Sequence, residues 1–291
     1  GEYRQQNRGG VGVVDLDTKE EDFITLFMSA TTHSDMLFFS DKGKAYQIKM
    51  YDIPEGKRAT RGKSIMNFIS LSGEEKVTSI LSMPKSAKDS KLSLFMVTKH
   101  GTIKKCSADS FKDVRKTGII AIKLEAGDEL LAAIFTEKGD DIILTTAKGQ
   151  AIRFKESDAR EMGRTAGGVR GMKLGKGDFI VGADVIHKDA EKPELLVMSE
   201  NGYGKKTAIK EYKVQKRGGS GIKTAKVTAK IGQLMVAKVV TPAFTELVAI
   251  SKKSQVIRIT MKDVPTLGRD TQGVRIMKLR EGDSIASLSC L

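Results

Sequence analysis

The 291-residue chain contains no tryptophan, two cysteines, three histidines and five prolines, and aromatic residues make up 5% of it. Cys106 and Cys290 are far apart in sequence and fit no metal-ligand spacing, which argues against a disulfide-built secreted domain. His33, His100 and His187 are scattered, and no Ser–His–Asp or Cys–His spacing links them to a nucleophile. The Gly139-Asp140-Asp141 stretch is short and unpartnered, so it reads as a surface turn rather than a metal motif. The chain has no eighteen-residue apolar run and no secretory signal, so no membrane partner is expected and the reading is cytoplasmic. It begins at Gly1 without methionine, as expected for a fragment of a longer chain. Few aromatics also leave little material for the stacking platforms that hold single-stranded nucleic acid.

Positive charge is abundant. Fifty Lys and Arg stand against 36 Asp and Glu, a formal net charge of +14. Residues 201–230 carry nine basic groups and one acid, Glu211. Residues 41–63 carry seven basic groups and three acids. Clustered positive charge favours a polyanionic partner over a general solubility role. Hydrophobic residues make up 40% of the chain and charged residues 30%, values that permit a substantial core.

The chain repeats. Gly10, Gly62, Gly118, Gly168, Gly219 and Gly273 follow similar polar or basic contexts, spaced 52, 56, 50, 51 and 54 residues apart. In phase with them run short apolar segments joined by tight turns. These are Met36–Phe39 before Lys42-Gly43, Leu94–Thr98 before His100-Gly101, and Ile142–Thr146 before Lys148-Gly149. Leu195–Met198 precedes Asn201-Gly202, and Leu247–Ile250 precedes Lys253-Ser254. Such runs flanking a residue that accepts positive φ are hairpins. A polar turn recurs at 124–128, 174–178 and 279–283, each time before a further apolar run at 130–135, 179–185 or 285–291. Helical periodicity is weak; single turns are expected near 109–114 and 209–214.

About four short strands every fifty residues predicts an all-β, six-bladed β-propeller (β-pinwheel) spanning residues 1–291 as one domain. The last blade would be completed from both chain ends or left incomplete, since the first copy lacks a hairpin and the last is short. WD40 and kelch repeats are excluded by the missing tryptophan. Gly202-Tyr203-Gly204-Lys205-Lys206-Thr207 is not a phosphate loop, because Ser199 stands where the loop needs its first glycine.

Gln6-Asn7-Arg8-Gly9-Gly10-Val11-Gly12 resembles the gyrase box, with Asn7 and Val11 where that pattern places basic residues. Lys42–Tyr46 is similar to the first blade, and Ile152–Ser157, Gly168–Gly171 and Asn201–Thr207 to later blades, of the same family, the C-terminal domain of DNA gyrase A. Topoisomerase IV carries a related domain. The resemblance implies a six-bladed propeller with exchanged strands, which wraps duplex DNA on its outer rim so that the enzyme introduces negative supercoils. It implies no catalytic residue, cofactor or metal here. The implied partners are double-stranded DNA, the cleavage core of the same polypeptide, and the separate ATPase subunit of gyrase, in the bacterial cytoplasm with the nucleoid. The alternative is a topoisomerase IV domain that binds DNA and selects substrate geometry without strong wrapping. A protein-interaction propeller and a propeller enzyme with a central-channel site are the other readings; clustered charge and missing catalytic constellations count against them.

The residues expected to contact DNA are basic side chains and box residues at turns. They are Arg4 just upstream of the box, Gln6, Asn7, Arg8, Gly9, Gly10 and Gly12 within it, then Lys44, Lys57, Arg58, Arg61 and Lys63, and Lys104, Lys105 and Lys116. Arg164 and Arg170 follow, then Lys205, Lys206, Lys216 and Arg217. Lysine and arginine at such places neutralise phosphates and release counterions without reading sequence.

Overall fold

A computed structural model describes residues 35–49, 71–83 and 91–291. Along the chain lie β1 (Met36–Ser40), β2 (Lys44–Ile48), β3 (Val77–Ser82), β4 (Ser93–Thr98), β5 (Thr102–Ser107), β6 (Ile119–Ile120) and β7 (Leu130–Thr136). Next come β8 (Asp141–Thr146), β9 (Gln150–Lys155), β10 (Val169–Arg170), β11 (Ile180–Ile186), β12 (Glu194–Ser199) and β13 (Tyr203–Ala208). The rest are β14 (Val214–Gln215), β15 (Ile222–Lys223), β16 (Leu234–Val240), β17 (Glu246–Ser251), β18 (Val256–Thr260), β19 (Val274–Arg275) and β20 (Ile285–Cys290). Short 3-10 turns follow β5, β9, β13 and β18, in two cases where single helical turns are expected from sequence.

These strands make five blade sheets, ordered β3-β1-β2-β6, β7-β4-β5-β10, β11-β8-β9-β14 with β15 also on β9, β16-β12-β13-β19, and β20-β17-β18. The chain is an all-β propeller, and the four-strand blade holds. The count of six is corrected to five among the described residues. The first copy, anchored on Gly10 and the box, lies outside them. The last sheet has three strands, all from residues 246–290.

Each blade grows from a hairpin. The turn residue has positive φ at Gly43, Gly101, Gly149 and Gly202, and at Ser254 in the last hairpin, where φ is 66°. The first hairpin strands of four sheets are buried along almost their whole length, as in MLFFS of β1 and SLFMVT of β4, whereas β17 alternates between half-buried and buried residues. Sheets covered on both faces require such continuous apolar runs instead of alternation. The short fourth strand comes from the following repeat: β6 pairs with β2, β10 with β5, and β19 with β13.

The chain divides into two compact units. The first comprises Gly1–Met96, Lys104–Phe135 and Glu161–Gly168. Its core joins Leu37, Phe39, Leu94, Phe111 and Leu130, with the Phe39 and Phe111 ring centroids 5.9 Å apart. Within it, Ser79 Oγ accepts from the Ala133 N–H at 3.0 Å. The second unit comprises Val97–Ile103, Thr136–Arg160 and Val169–Leu291. There β11 and β16, from neighbouring sheets, approach so closely that a Cβ at Gly182 would lie 2.7 Å from Ala237. Asp184 Oδ2 accepts from the Val239 N–H at 2.8 Å and so satisfies a donor on β16 that its own sheet leaves open.

Candidate nucleic-acid interface

The exchanged strands β6, β10, β15 and β19 present one pattern. Their second residues, Ile120, Arg170, Lys223 and Arg275, are exposed. Two positions later a side chain turns inward: Ile122, Met172, Ala225 and Met277 are buried. The next residue is an exposed lysine in every copy: Lys123, Lys173, Lys226 and Lys278. In the last three copies an exposed cation therefore stands on each side of the buried residue.

A glycine with positive φ precedes each strand: Gly118 at 87°, Gly168 at 89°, Gly221 at 74° and Gly273 at 80°. Glycine is required here because a Cβ at Gly221 would lie 2.3 Å from the Ala151 carbonyl oxygen, and one at Gly273 would lie 2.5 Å from that of Gly204. The structural anchor of the fifth copy is therefore Gly221, two residues beyond the expected Gly219.

Six residues before the exposed basic side chain stands an arginine in three copies: Arg164, Arg217 and Arg269. Two of these reach back to the preceding repeat. Arg217 Nη1 donates to the Arg170 carbonyl at 3.0 Å and its Nε to the Asp158 carbonyl at 3.1 Å. Arg269 Nη1 donates to the Lys223 carbonyl at 3.0 Å. Backbone bonds follow the same path, from Lys173 N–H to Gly219 O at 2.9 Å and from Lys226 N–H to Thr271 O at 3.0 Å. Within the second unit, successive outer strands are thus linked, and each presents two exposed cations. Lys223 has a weak partner in the exposed Asp270, 3.4 Å away, and Arg275 Nη2 donates to the Tyr203 hydroxyl at 3.1 Å.

Of the expected DNA-contacting residues, Arg4, Gln6, Asn7, Arg8, Gly9, Gly10, Gly12, Lys57, Arg58, Arg61 and Lys63 lie outside the described residues. Lys44, Lys116, Arg170 and Lys216 are exposed. Arg164 and Arg217 are half-buried. Lys206 is half-buried, with Nζ on the Met261 carbonyl at 3.2 Å, and Lys105 is 9% exposed. Two expectations are corrected: Lys104 and Lys205 are each 0% exposed. Lys205 Nζ donates to the carbonyls of Gly268 (2.7 Å), Arg269 (2.9 Å) and Thr271 (3.0 Å) and to Thr271 Oγ1 (2.9 Å). Lys104 Nζ donates to the carbonyls of Ala121 (2.7 Å), Ala166 (3.1 Å) and Arg164. An ammonium enclosed by protein oxygens cannot neutralise a phosphate. Desolvation lowers the Lys104 pKa and brings that of Lys205 down to about 8.

Asp140 also departs from its expected place on a surface turn. It is 2% exposed and accepts from the N–H groups of Glu137 (2.8 Å) and Lys188 (3.1 Å), with His187 Nδ1 3.5 Å away. Burial raises its pKa, but these hydrogen bonds and His187 outweigh that and lower it. Among the described residues, no group of three or more His, Cys, Asp and Glu could hold a metal ion, and no helix is long and apolar enough to cross a membrane.

Lys123, Lys173, Lys223, Lys226, Arg269, Arg275 and Lys278 were not among the expected contacts. Superposing the copies on the glycine before the exchanged strand reveals them, since Val169-Arg170-Gly171-Met172-Lys173-Leu174 and Val274-Arg275-Ile276-Met277-Lys278-Leu279 share a register.

Comparison with known proteins fits this architecture. The family model described as "DNA gyrase C-terminal domain, beta-propeller" matches residues 1–30, 34–82, 93–137, 140–187, 193–241 and 245–291. The chain belongs to this family. It is 39% identical over 287 residues to the DNA gyrase A protein of Staphylococcus epidermidis, covering 99% of the chain and 32% of that protein. The Lawsonia intracellularis DNA gyrase A protein is 41% identical over 280 residues, covering 96% of the chain and 34% of that protein. The chain therefore spans about a third of these relatives. Among solved structures, a DNA gyrase A C-terminal domain matches with TM-score 0.76 and 31% identity, over 89% of this chain and 83% of that one. A topoisomerase IV C-terminal domain matches with TM-score 0.80 over 89% of this chain and 80% of that one, but at 22% identity this likeness concerns the fold alone.

Proposed function

We propose that residues 1–291 act as one non-catalytic DNA-binding domain of a bacterial DNA gyrase, in which duplex DNA follows the exchanged strands and is bent and wrapped as it does so. Membership of the gyrase C-terminal family supports the assignment. The observation that carries it is the recurrence of paired exposed cations, Arg170 with Lys173, Lys223 with Lys226 and Arg275 with Lys278, on outer strands of successive repeats. Positions repeated with the fold suit a polymer whose charge repeats, because every phosphate neutralised releases condensed counterions.

Bending 20–30 base pairs by 40–90° costs roughly 1–6 kcal/mol, so several phosphate contacts must offset it. The box residues Gln6–Gly12, with Arg4, Lys57, Arg58, Arg61 and Lys63, would extend the cationic surface on the amino-terminal copies. The protein partners would be the cleavage core of the same polypeptide, together with the ATPase subunit, in the bacterial cytoplasm.

Ligation of nicked circular DNA with the protein bound, followed by measurement of linking number, tests the wrapping. A change that grows with bound protein is expected. An unchanged linking number with retained binding would favour the second reading, a topoisomerase IV-like domain that binds without wrapping.

A further inference from the structure

Lys104 and Lys205 occupy the same place in two repeats, the third residue after the hairpin glycine (Gly101 and Gly202). Two of the other repeats put Tyr46 and Ile152 there, after Gly43 and Gly149. All four side chains are buried, at most 1% exposed. In each case the turn donated by the following repeat lies nearby. A Cβ at Gly118 would meet the Tyr46 ring at 2.5 Å, and one at Gly219 would lie 3.6 Å from Ile152 Cδ1. An apolar side chain thus fills the space adequately. Burying an ammonium there is costly unless its donors are all used.

They are used, and on one kind of turn. The acceptors include the carbonyl of the turn arginine itself (Arg164 or Arg269) and that of the residue two further on (Ala166 or Thr271). The neighbouring residue stitches the same segment to the hairpin: Met162 N–H donates to the Lys105 carbonyl at 2.8 Å and Leu267 N–H to that of Lys206 at 2.8 Å. Arg275 stands four positions after Thr271, so a displaced turn carries the exposed arginine with it.

We propose that Lys104 and Lys205 are positioning residues: buried ammonium pegs that fix the turns 164–166 and 268–271, the second of which thereby sets where Arg275 projects toward DNA. The role of Arg275 rests on the DNA-binding reading above; the peg itself does not. The depressed basicity of both lysines is the electrostatic consequence of enclosing them away from water.

The test uses the 291-residue chain and its variants K205M, R275A and K205M/R275A. Two readouts are compared: affinity for a random-sequence duplex and hydrogen exchange across 266–275. In K205M, amides of 268–275 should exchange faster while β12 keeps its protection. Affinity should fall about three- to tenfold, as in R275A, and the double variant should be no weaker than the weaker single one. Losses that multiply in the double variant, or unchanged exchange in K205M beside an intact R275A effect, would overturn the peg. R275A without any effect on affinity would instead sink the DNA reading of this strand, whatever the exchange shows. Should K205M fail to fold, K205I, which copies Ile152 of the neighbouring repeat, carries the same comparison.

Discussion

Arg217 of one repeat donates its Nη1 hydrogen to the carbonyl oxygen of Arg170 on the outer strand of the repeat before, at 3.0 Å. The same guanidinium holds the Asp158 carbonyl through Nε at 3.1 Å. One side chain thereby joins two copies of the motif while staying half-buried. Replacing Arg217 with lysine should not restore this, because a single ammonium cannot reproduce a planar fork aimed at two carbonyls. R217K and R217A should lose similar duplex affinity, about three- to tenfold. Titration of both variants with labelled duplex checks this; full activity in R217K would show that charge alone matters.

Asp184 and Val239 give a pH-dependent prediction. Desolvation raises the Asp184 pKa, while the N–H groups of Val239 and Val185 pull it down. Between the ordinary carboxyl range and the raised value, the folded chain keeps a proton that the unfolded chain releases. Stability therefore falls as pH rises through that window. Asp184→Asn keeps an acceptor for the Val239 N–H and removes the charge, so it should be at least as stable as the parent at pH 7. Asp184→Ala leaves that N–H unpaired and should cost about 1–3 kcal/mol. Urea denaturation at pH 4 and pH 7 measures both.

The hairpins and apolar strands were legible in the sequence because a buried strand needs a continuous run and a tight turn needs positive φ. Leu94–Thr98 lies in β4 and Ile142–Thr146 in β8, each followed by its glycine turn. The exchanged strands were not legible. Two residues long, they carry no periodicity, and their pairing partner lies in another repeat. Choosing surface lysines by charge alone also failed at Lys104 and Lys205. Adjacent residues on a strand face opposite ways, so a Lys-Lys pair puts at least one toward the interior. What marks the exposed positions is register against the buried Met172 and Met277, visible only when the copies are superposed on the right glycine.

Two turn residues should respond with opposite signs. Ser254 holds φ at 66° where four other hairpins have glycine. Ser254→Gly should stabilise the chain by about 0.5 kcal/mol through relief of that conformation, offset partly by the greater freedom of glycine when unfolded. Gly273→Ala places a Cβ 2.5 Å from the Gly204 carbonyl at a φ of 80° and should cost at least about 2 kcal/mol. Chemical-denaturation midpoints of the two variants against the parent provide the comparison.

Lys205 supplies a further pH signature. Its pKa is lowered to about 8 by burial. Between that value and its ordinary value, the folded chain has released a proton that the unfolded chain retains, so stability rises with pH across the interval. Lys205→Met should abolish this part of the rise. Melting curves at pH 7.5, 8.5 and 9.5 would read it out, and an identical pH dependence in the variant would assign the rise to other groups.

The most direct test of the central claim is the salt dependence of duplex affinity for the parent and for the K173A/K226A/K278A triple variant. These lysines are exposed and recur at one position of the repeat. If each meets a phosphate, affinity should fall at every salt concentration, and the slope of log affinity against log salt should shrink by about 0.9 per lysine, roughly 2.7 in all. Parent-like affinity and slope in the triple variant would contradict a DNA path along the exchanged strands.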